Sequence, residues 1–230
     1  MLKLDLHVHS SYSNRHGHLE CFNNVEVIRQ ATKKTGINAL SITDHDTLSY
    51  NKLKPKLKSL FLLPGVEIST KQGHLLAYGI KEPIKPKLDV FEAVARVREQ
   101  NGLVIVPHPF SFKGLAFRTA KLKPDAVEIF NSINFSTLDK LSEYYVKNNN
   151  LKACSGSDSH FPLTIGATYV EVNCEPKVDE VIEHLRKGRF KIKIIRRAGL
   201  IDKLRWAGFA LFGAKKLFLR EDSLLINHEK

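Results

Sequence analysis

Short apolar runs in this chain repeatedly end on a histidine or a carboxylate. His7 and His9 close the run in DLHVHS, His45 follows the run in SITDHDT, and Glu67 ends the run in LPGVEIST. His74 opens the run in QGHLLAYG, His108 follows the run in VIVPHPF, Asn131 closes VEIFN, and Asp158 and His160 follow in CSGSDSH. An ionisable side chain at the end of a buried strand is costly unless it finds a partner. The repetition therefore restricts the chain to folds that gather successive strand ends on one face, where these groups satisfy one another or a shared ion.

The periodicity of the remaining residues predicts such a fold. Alternating or short apolar runs predict strands over residues 2–8, 39–43, 61–68, 75–80, 103–106, 126–130, 151–155, 168–172 and 189–195. Helical spacing covers residues 25–35, 48–60, 90–100, 136–149 and 177–187, and the first of these stops at Gly36, a residue suited to ending a helix. Strands alternating with helices imply parallel pairing in an α/β layer or barrel. In a parallel barrel the loops after the strands share one face, so residues far apart in sequence meet in one pocket. The 230 residues suffice for one sizeable domain, and no internal repeat or low-complexity linker divides them.

Side chains two apart on a strand share a face, so His7 and His9 can reach one ligand together. Imidazole and carboxylate donors in this mixture suit zinc, manganese or iron better than calcium. Taken singly, each piece has a plainer reading. Thr-Asp-His and Ser-Asp-Ser-His can be helix caps beside a surface histidine; Glu67 can be a loop carboxylate, and His108 a packed histidine between prolines. Their shared position relative to successive strands favours a metal site. The three cysteines, Cys21, Cys154 and Cys174, are scattered and form no CxxC pair, which argues against a disulfide framework or a cysteine-rich zinc site. They point to a reducing cytoplasm, as does a charged strand where a leader would carry an apolar core.

The motifs DLHVHS, SITDHDT, GVEIST with GHLLAYGI, VPHPF, VEIFN and GSDSH, in that order, resemble the PHP (polymerase and histidinol phosphatase) domain family. The resemblance spans about residues 1–190, and GHLLAYGI and VEIFN are most similar to its stand-alone branch. That branch includes nucleoside monophosphate and 3′,5′-bisphosphate phosphatases and short-RNA 5′ exonucleases. The resemblance implies a distorted (β/α)7 TIM-like barrel with two to three divalent ions (Zn, Mn or Fe) at the strand ends. It implies that His7, His9, Glu67 and Asp158 hold one ion. Glu67 would bridge to a second held by His74 and His108, and His45 and His160 would help to hold a third. His7, His9, Glu67, His108, Asp158 and His160 would then act on the reaction through a metal-bound water. The family's first motif usually continues Ser-Asp-Gly, whereas this chain reads Ser13-Asn14-Arg15. A neutral amide at Asn14 is a poorer ligand than a carboxylate, and His16 or His18 is the nearest replacement, so two ions are expected before three. Asp44 and Asn131 are candidates for orienting ligands from behind, with helix capping as the alternative for Asp44. Arg15, Lys113 and Arg118 are candidate phosphate clamps.

The expected reaction is hydrolysis of a phosphate ester, of a nucleotide or a short RNA or DNA end, by metal-activated water. Histidinol phosphate is the alternative substrate. An amidohydrolase-like metal hydrolase also starts with His-x-His, but its pattern resembles a bridging lysine where this chain has Glu67. A non-catalytic metal-binding module is the third alternative, with Asn14 as its support. The whole chain carries a net charge of +12, and residues 186–230 hold 13 Lys or Arg against 4 Asp or Glu. The expected organisation is a PHP domain over residues 1–195 followed by a basic, partly amphipathic extension over 196–230, with an extra helix at 199–219. The extension has three open readings: packing on the barrel, lying on an anionic membrane surface, or holding nucleic acid through its phosphates. Its apolar stretch, 206–214, is too short to span a bilayer.

Overall fold

The computed structural model describes residues 1–13 and 21–199. Its nine strands are β1 (Leu2–Val8), β2 (Ala39–Ile42), β3 (Phe61–Ser69), β4 (His74–Tyr78), β5 (Leu103–Val106), β6 (Ala126–Asn131), β7 (Ala153–Gly156), β8 (Thr168–Val172) and β9 (Phe190–Ile194). They form one sheet in the order β7-β6-β5-β4-β3-β2-β1-β8-β9. The sheet curls until the segment after β7 lies along β1. There Ser159 N donates to His7 O at 3.2 Å, His9 N to Ser159 O at 3.0 Å, and Ser157 Oγ to His7 O at 3.0 Å. The result is a mixed α/β, nearly closed barrel. Asp5 is the buried clamp of this seam: its carboxylate accepts from His7 N at 3.3 Å, Ser157 N at 3.1 Å and Gly166 N at 2.9 Å.

Pairing is parallel for β1–β2, β2–β3, β5–β6 and β6–β7. It is antiparallel for β3–β4, β4–β5, β1–β8 and β8–β9, which corrects the all-parallel expectation. The physical reason at β4 is the length of the link. Residues 70–73 close a tight turn in which Thr70 N donates to Gly73 O at 3.0 Å, whereas a parallel crossover needs a dozen or more residues. The reversal has a functional result. β4 begins at the end where β3 finishes, so His74 at the head of β4 joins the histidines and carboxylates carried at the tails of the parallel strands.

The barrel interior is filled by Leu2, Leu4, Leu6, Leu63, Leu76, Tyr78 and Ile105, and Val181, Ile182 and Leu185 of α5 (Val178–Arg186) complete the same cluster. Helix α1 (Val25–Thr35) packs outside, with Ile28 and Ala31 against Val8, Leu40 and Ile42. It starts at Asn24, whose side chain accepts from Val27 N at 3.0 Å, and ends at Gly36 with φ 70°, the left-handed conformation that glycine adopts freely. The helix expected over 48–60 shrinks to the single turn α2 (Tyr50–Leu53), because Pro55 has no N–H to continue the ladder. Helix α3 (Val90–Glu99) covers β5 with Val90, Ala93, Val94 and Val97, and α4 (Ser136–Asn148) packs on β6. A 3-10 helix over Ala116–Leu122 had no counterpart in the periodicity.

After β9 the chain folds back over the ligand end of the barrel. Ile195 N donates to Ala167 O at 2.9 Å and Ala198 N to Ser132 O at 3.0 Å. The Arg197 guanidinium lies 4.5 Å from the Phe130 ring centroid and its Nη1 meets Asp139 Oδ2 at 2.5 Å. The first residues of the expected extension thus pack on the barrel. The expected helix at 199–219 falls, but for Gly199, outside the described residues, as do Asn14, Arg15, His16 and His18.

Candidate metal centre

Leu2, Leu4 and Leu6 face the interior, but Val8 joins the outer layer under α1. The face changes where the pairing of β1 with β2 shifts register, between Asp5 and Val8. Across that irregularity His7 and His9 meet, Nε2 to Nε2, at 3.2 Å. A β-bulge at a barrel rim commonly re-aims side chains in this way.

Glu67 is the hub. Its Oε2 lies 3.4 Å from His7 Nε2, 3.2 Å from His9 Nε2 and 3.2 Å from His45 Nδ1. Its Oε1 lies 2.8 Å from His74 Nδ1 and 3.2 Å from His108 Nε2. Asp158 Oδ1 lies 3.4 Å from His7 Nε2, 3.3 Å from His9 Nε2 and 3.6 Å from His160 Nδ1. Among the described residues, three groups of donors converge within 4.8 Å: His7, His9, Glu67 and Asp158; His45, Glu67 and His74; His9, His45 and His160. His108 meets the second group through its contact with Glu67 Oε1.

The donor set fits divalent ions. Six imidazoles surround two carboxylates, and no lysine or arginine competes for those carboxylates among the described residues. His45 Nδ1 is buried and, despite its 3.2 Å approach to Glu67, makes no hydrogen bond. Without cations, protons must do their work. Burial works against charge on His7, yet Asp158, Glu128 and Glu67 hold it well above the ordinary histidine range. Burial is likewise outweighed at His9, which hydrogen bonds to Asp158 and Glu67 raise to about 9. Burial and the neighbouring His9 push His160 down to about 4, and burial drives His45 well below its usual range. Burial would raise Glu67 and Asp158, but the surrounding histidines hold both well below the carboxylate range. Such a cluster would give up protons on taking a metal, because ligands bind in their deprotonated forms.

The side chains of the cluster are held from behind. His7 Nδ1 meets Glu128 Oε1 at 2.9 Å, His9 Nδ1 meets Ser13 Oγ at 3.0 Å, and His108 Nδ1 meets Ser111 Oγ at 2.8 Å. Each bond leaves the opposite ring nitrogen for the cluster, the usual arrangement behind a metal-bound histidine. Glu128 also accepts from His108 N at 3.0 Å and from Asn131 Nδ2 at 3.2 Å, and Asn131 Nδ2 lies 3.1 Å from Asp158 Oδ2. Gly156 makes room for this packing: a Cβ there would sit 2.2 Å from Glu128 Oε1 and 2.4 Å from His7 Cβ. His108 and Asp158 adopt φ of 28° and 51°, a region that non-glycine residues occupy at a cost and that gathers at functional sites.

Sequence reasoning singled out neither Glu128 nor Asp5. The one available signal was position, since Glu128 lies within VEIFN and Asp5 opens DLHVHS. Asp44 accepts from Ser10 N at 2.6 Å, from Ser10 Oγ at 2.7 Å and from Ser49 Oγ. It thus ties the loops after β1 and β2 together through serines, where the sequence suggested a bond to a histidine ring. Lys113 lines a cavity of about 520 Å³ that also opens on His45 and His74, with Lys71 and Phe112 beside it. Arg118 is exposed on the 3-10 helix and is not part of that lining.

Comparison with known proteins bears on the fold. Residues 140–190 match the family model described as PHP-associated. Two uncharacterized proteins of Methanocaldococcus jannaschii are similar to the chain. One is 36% identical over 57% of this chain and 82% of its own length, the other 34% identical over 77% and 75%. A two-domain protein of Bacteroides vulgatus containing a predicted PHP-like metal-dependent phosphoesterase superposes with a TM-score of 0.68 at 19% identity, over 91% of this chain and 69% of that one. Endonuclease Q, in complex with a duplex bearing an abasic lesion, superposes with a TM-score of 0.60 at 19% identity, over 84% of this chain and 58% of that one. Described residues contain no helix long and apolar enough to cross a membrane. The chain is thus kin to the two archaeal proteins, its residues 140–190 match the PHP-associated family, and it has the fold of PHP-like metal-dependent phosphoesterases.

Proposed function

We propose that this protein hydrolyses phosphate esters of nucleotides or short oligonucleotides in a reaction that depends on two to three divalent ions. The observation that carries this reading is the convergence of three donor groups, two of them sharing Glu67, at one end of the barrel. His7, His9, Glu67 and Asp158 would hold one ion. Glu67, His74, His45 and His108 would hold the second, and His9, His45 and His160 form the poorest donor set, for a third. When bound, such ions make a water acidic near neutral pH and neutralise charge on phosphoryl oxygens. The chain's own part is to fix the imidazoles through Glu128, Ser13 and Ser111, and to offer Lys113 to the phosphate at the cavity edge. The mixture of imidazole and carboxylate suits zinc, manganese or iron.

The net charge of +12 favours a polyanionic substrate, and the fold shared with endonuclease Q, which holds DNA, supports the nucleic-acid side of the reading. The test is to measure bound metal on the purified protein, strip it with chelator and restore Zn, Mn or Fe singly. Each form is then assayed on nucleoside monophosphates, 3′,5′-bisphosphates, 5′-phosphorylated oligonucleotides and histidinol phosphate. The expected result is metal-dependent release of phosphate or of a mononucleotide. Occupied sites with no turnover on any of these substrates would sink the proposal.

A further inference from the structure

The cavity beside the cluster has a volume of about 520 Å³, far more than a phosphate needs and within the range of small-molecule sites. His45 and His74 form its inner wall, and its outer wall comes from the β3–β4 turn and the loop after β5. The neutral polar groups of that turn are already engaged. Gln72 Nε2 donates to Asp89 Oδ2 at 2.5 Å and its Oε1 accepts from Val90 N at 2.9 Å, while Thr70 Oγ1 donates to Gly73 O at 2.5 Å. Asp46 Oδ1 accepts from Ser69 N at 2.6 Å. The outer wall therefore offers a ligand chiefly the Phe112 ring and the ammonium groups of Lys71 and Lys113, neither of which makes a salt bridge among the described residues.

Phe112 is 96% exposed, yet the loop that carries it is firmly held. His74 N donates to Lys113 O at 2.9 Å, Ser111 N to His108 O at 2.9 Å and Ala116 N to Pro109 O at 2.6 Å. Gly114 allows the loop to close on itself, since a Cβ there would lie 2.1 Å from Pro109 O. A pinned loop whose tip carries an exposed aromatic ring, with Lys113 Nζ 5.4 Å from its centroid and Lys71 and the histidine-carboxylate cluster nearby, has the make-up of a single-strand nucleic-acid site. Such sites pair stacking platforms with cations that follow the backbone. We propose that this cavity is a nucleobase subsite: Phe112 stacks on the base next to the reacting phosphate, while Lys71 and Lys113 hold the following phosphate. The inference rests on the phosphoesterase reading for its orientation and adds the group that selects nucleotides over other phosphate esters.

The test uses the full chain and a 5′-phosphorylated dinucleotide with 2-aminopurine as its first base. On chelated protein, stacking should quench the 2-aminopurine fluorescence, and Phe112→Ala should abolish the quench and weaken binding about tenfold. Phe112→Trp should keep both, and Phe91→Ala, an exposed ring on α3 outside the cavity, should match the wild type. On metal-loaded protein, Phe112→Ala should lower the ratio of kcat/KM for the dinucleotide to that for ribose 5-phosphate about tenfold. Quench and ratio unchanged by Phe112→Ala would overturn the subsite, as would an equal loss on ribose 5-phosphate. A protein inactive on every phosphate whose quench still depends on Phe112 would refute the hydrolase reading and keep the subsite.

Discussion

The inner ring of the site and its outer rim are built on opposite terms. His7, His9 and Glu67 are at most 1% exposed, and every one of them is held by several neighbours on two or more strands. At the rim the backbone is held and the side chains are exposed: Lys71, Phe112 and Lys113 stand on a turn and a loop stitched together by main-chain bonds, with the Lys113 ammonium 5.4 Å from the Phe112 ring centroid. Groups that must meet an ion within tenths of an ångström need the first kind of support. Groups that choose among substrates need only be presented at the right place, and they can change without disturbing the barrel. Substitutions should therefore separate into those that remove metal and turnover together and those that alter affinity alone.

The largest effect is expected at the hub. Glu67→Gln keeps the shape but removes the charge that faces five histidines, so elemental analysis should find metal content sharply reduced and kcat/KM lowered by roughly a thousandfold or more. Glu128→Gln, one step further out, should weaken metal affinity roughly 10–100-fold, the usual cost of losing a group that orients a ligand. Full metal content in the Glu67 variant, or equal damage from both, would show that the ring is not layered as described.

Asp5 tests whether the seam of the barrel is as fixed as the ring. Burial raises its carboxyl from 3.8 to about 6, against the opposing effect of the hydrogen bonds it accepts. The folded state thus keeps the proton to higher pH than the unfolded chain. The stability this contributes is fully present below pH 3.8 and is lost as the pH rises through 6, a change on the order of 3 kcal/mol. Asp5→Asn carries no titrating proton and lacks an acceptor for Gly166 N, so it should start less stable by about 1–3 kcal/mol. Urea unfolding of the chelated proteins should show the gap to the wild type narrowing between about pH 4 and pH 6. A gap independent of pH would mean that burial does not raise the Asp5 carboxyl as described.

The sequence revealed the ring far better than the rim, for physical reasons. Strand ends and metal-binding side chains both leave marks, one in periodicity and one in residue type, so His7, His9, His45, Glu67, His74, His108, Asp158 and His160 stood out. The direction of β4 was also written there, in the four residues between Ser69 and His74, but period alone does not carry direction. Pro55 marked the early end of α2 in the same overlooked way. Glu128 was hidden because a carboxylate behind a ligand looks like any other acidic residue until Gly156 brings it against His7. Phe112 was hidden for the opposite reason: a phenylalanine in a sequence reads as core, and only the fold shows that this one is bare. Arg118 looked equivalent to Lys113, yet the turn of the 3-10 helix leaves it off the cavity wall.

The smallest expected effect is the one that bears most directly on the rim. Each lysine that contacts a single-stranded phosphate displaces a counterion and adds about 0.7 to the slope of log affinity against log salt. Replacing Lys71 and Lys113 together by alanine should therefore flatten the salt dependence of KM for a phosphorylated oligonucleotide by about 1.4. KM should rise a few-fold at low salt and converge on the wild-type value at high salt. Metal content should not move, because Lys113 meets His74 only through its main-chain oxygen, which alanine keeps, and Lys71 is outside the donor groups. An unchanged slope would show that neither lysine holds a phosphate of the substrate. A changed metal content would be worse for the comparison, since rim and ring would then be one layer, and selectivity could not vary without the chemistry.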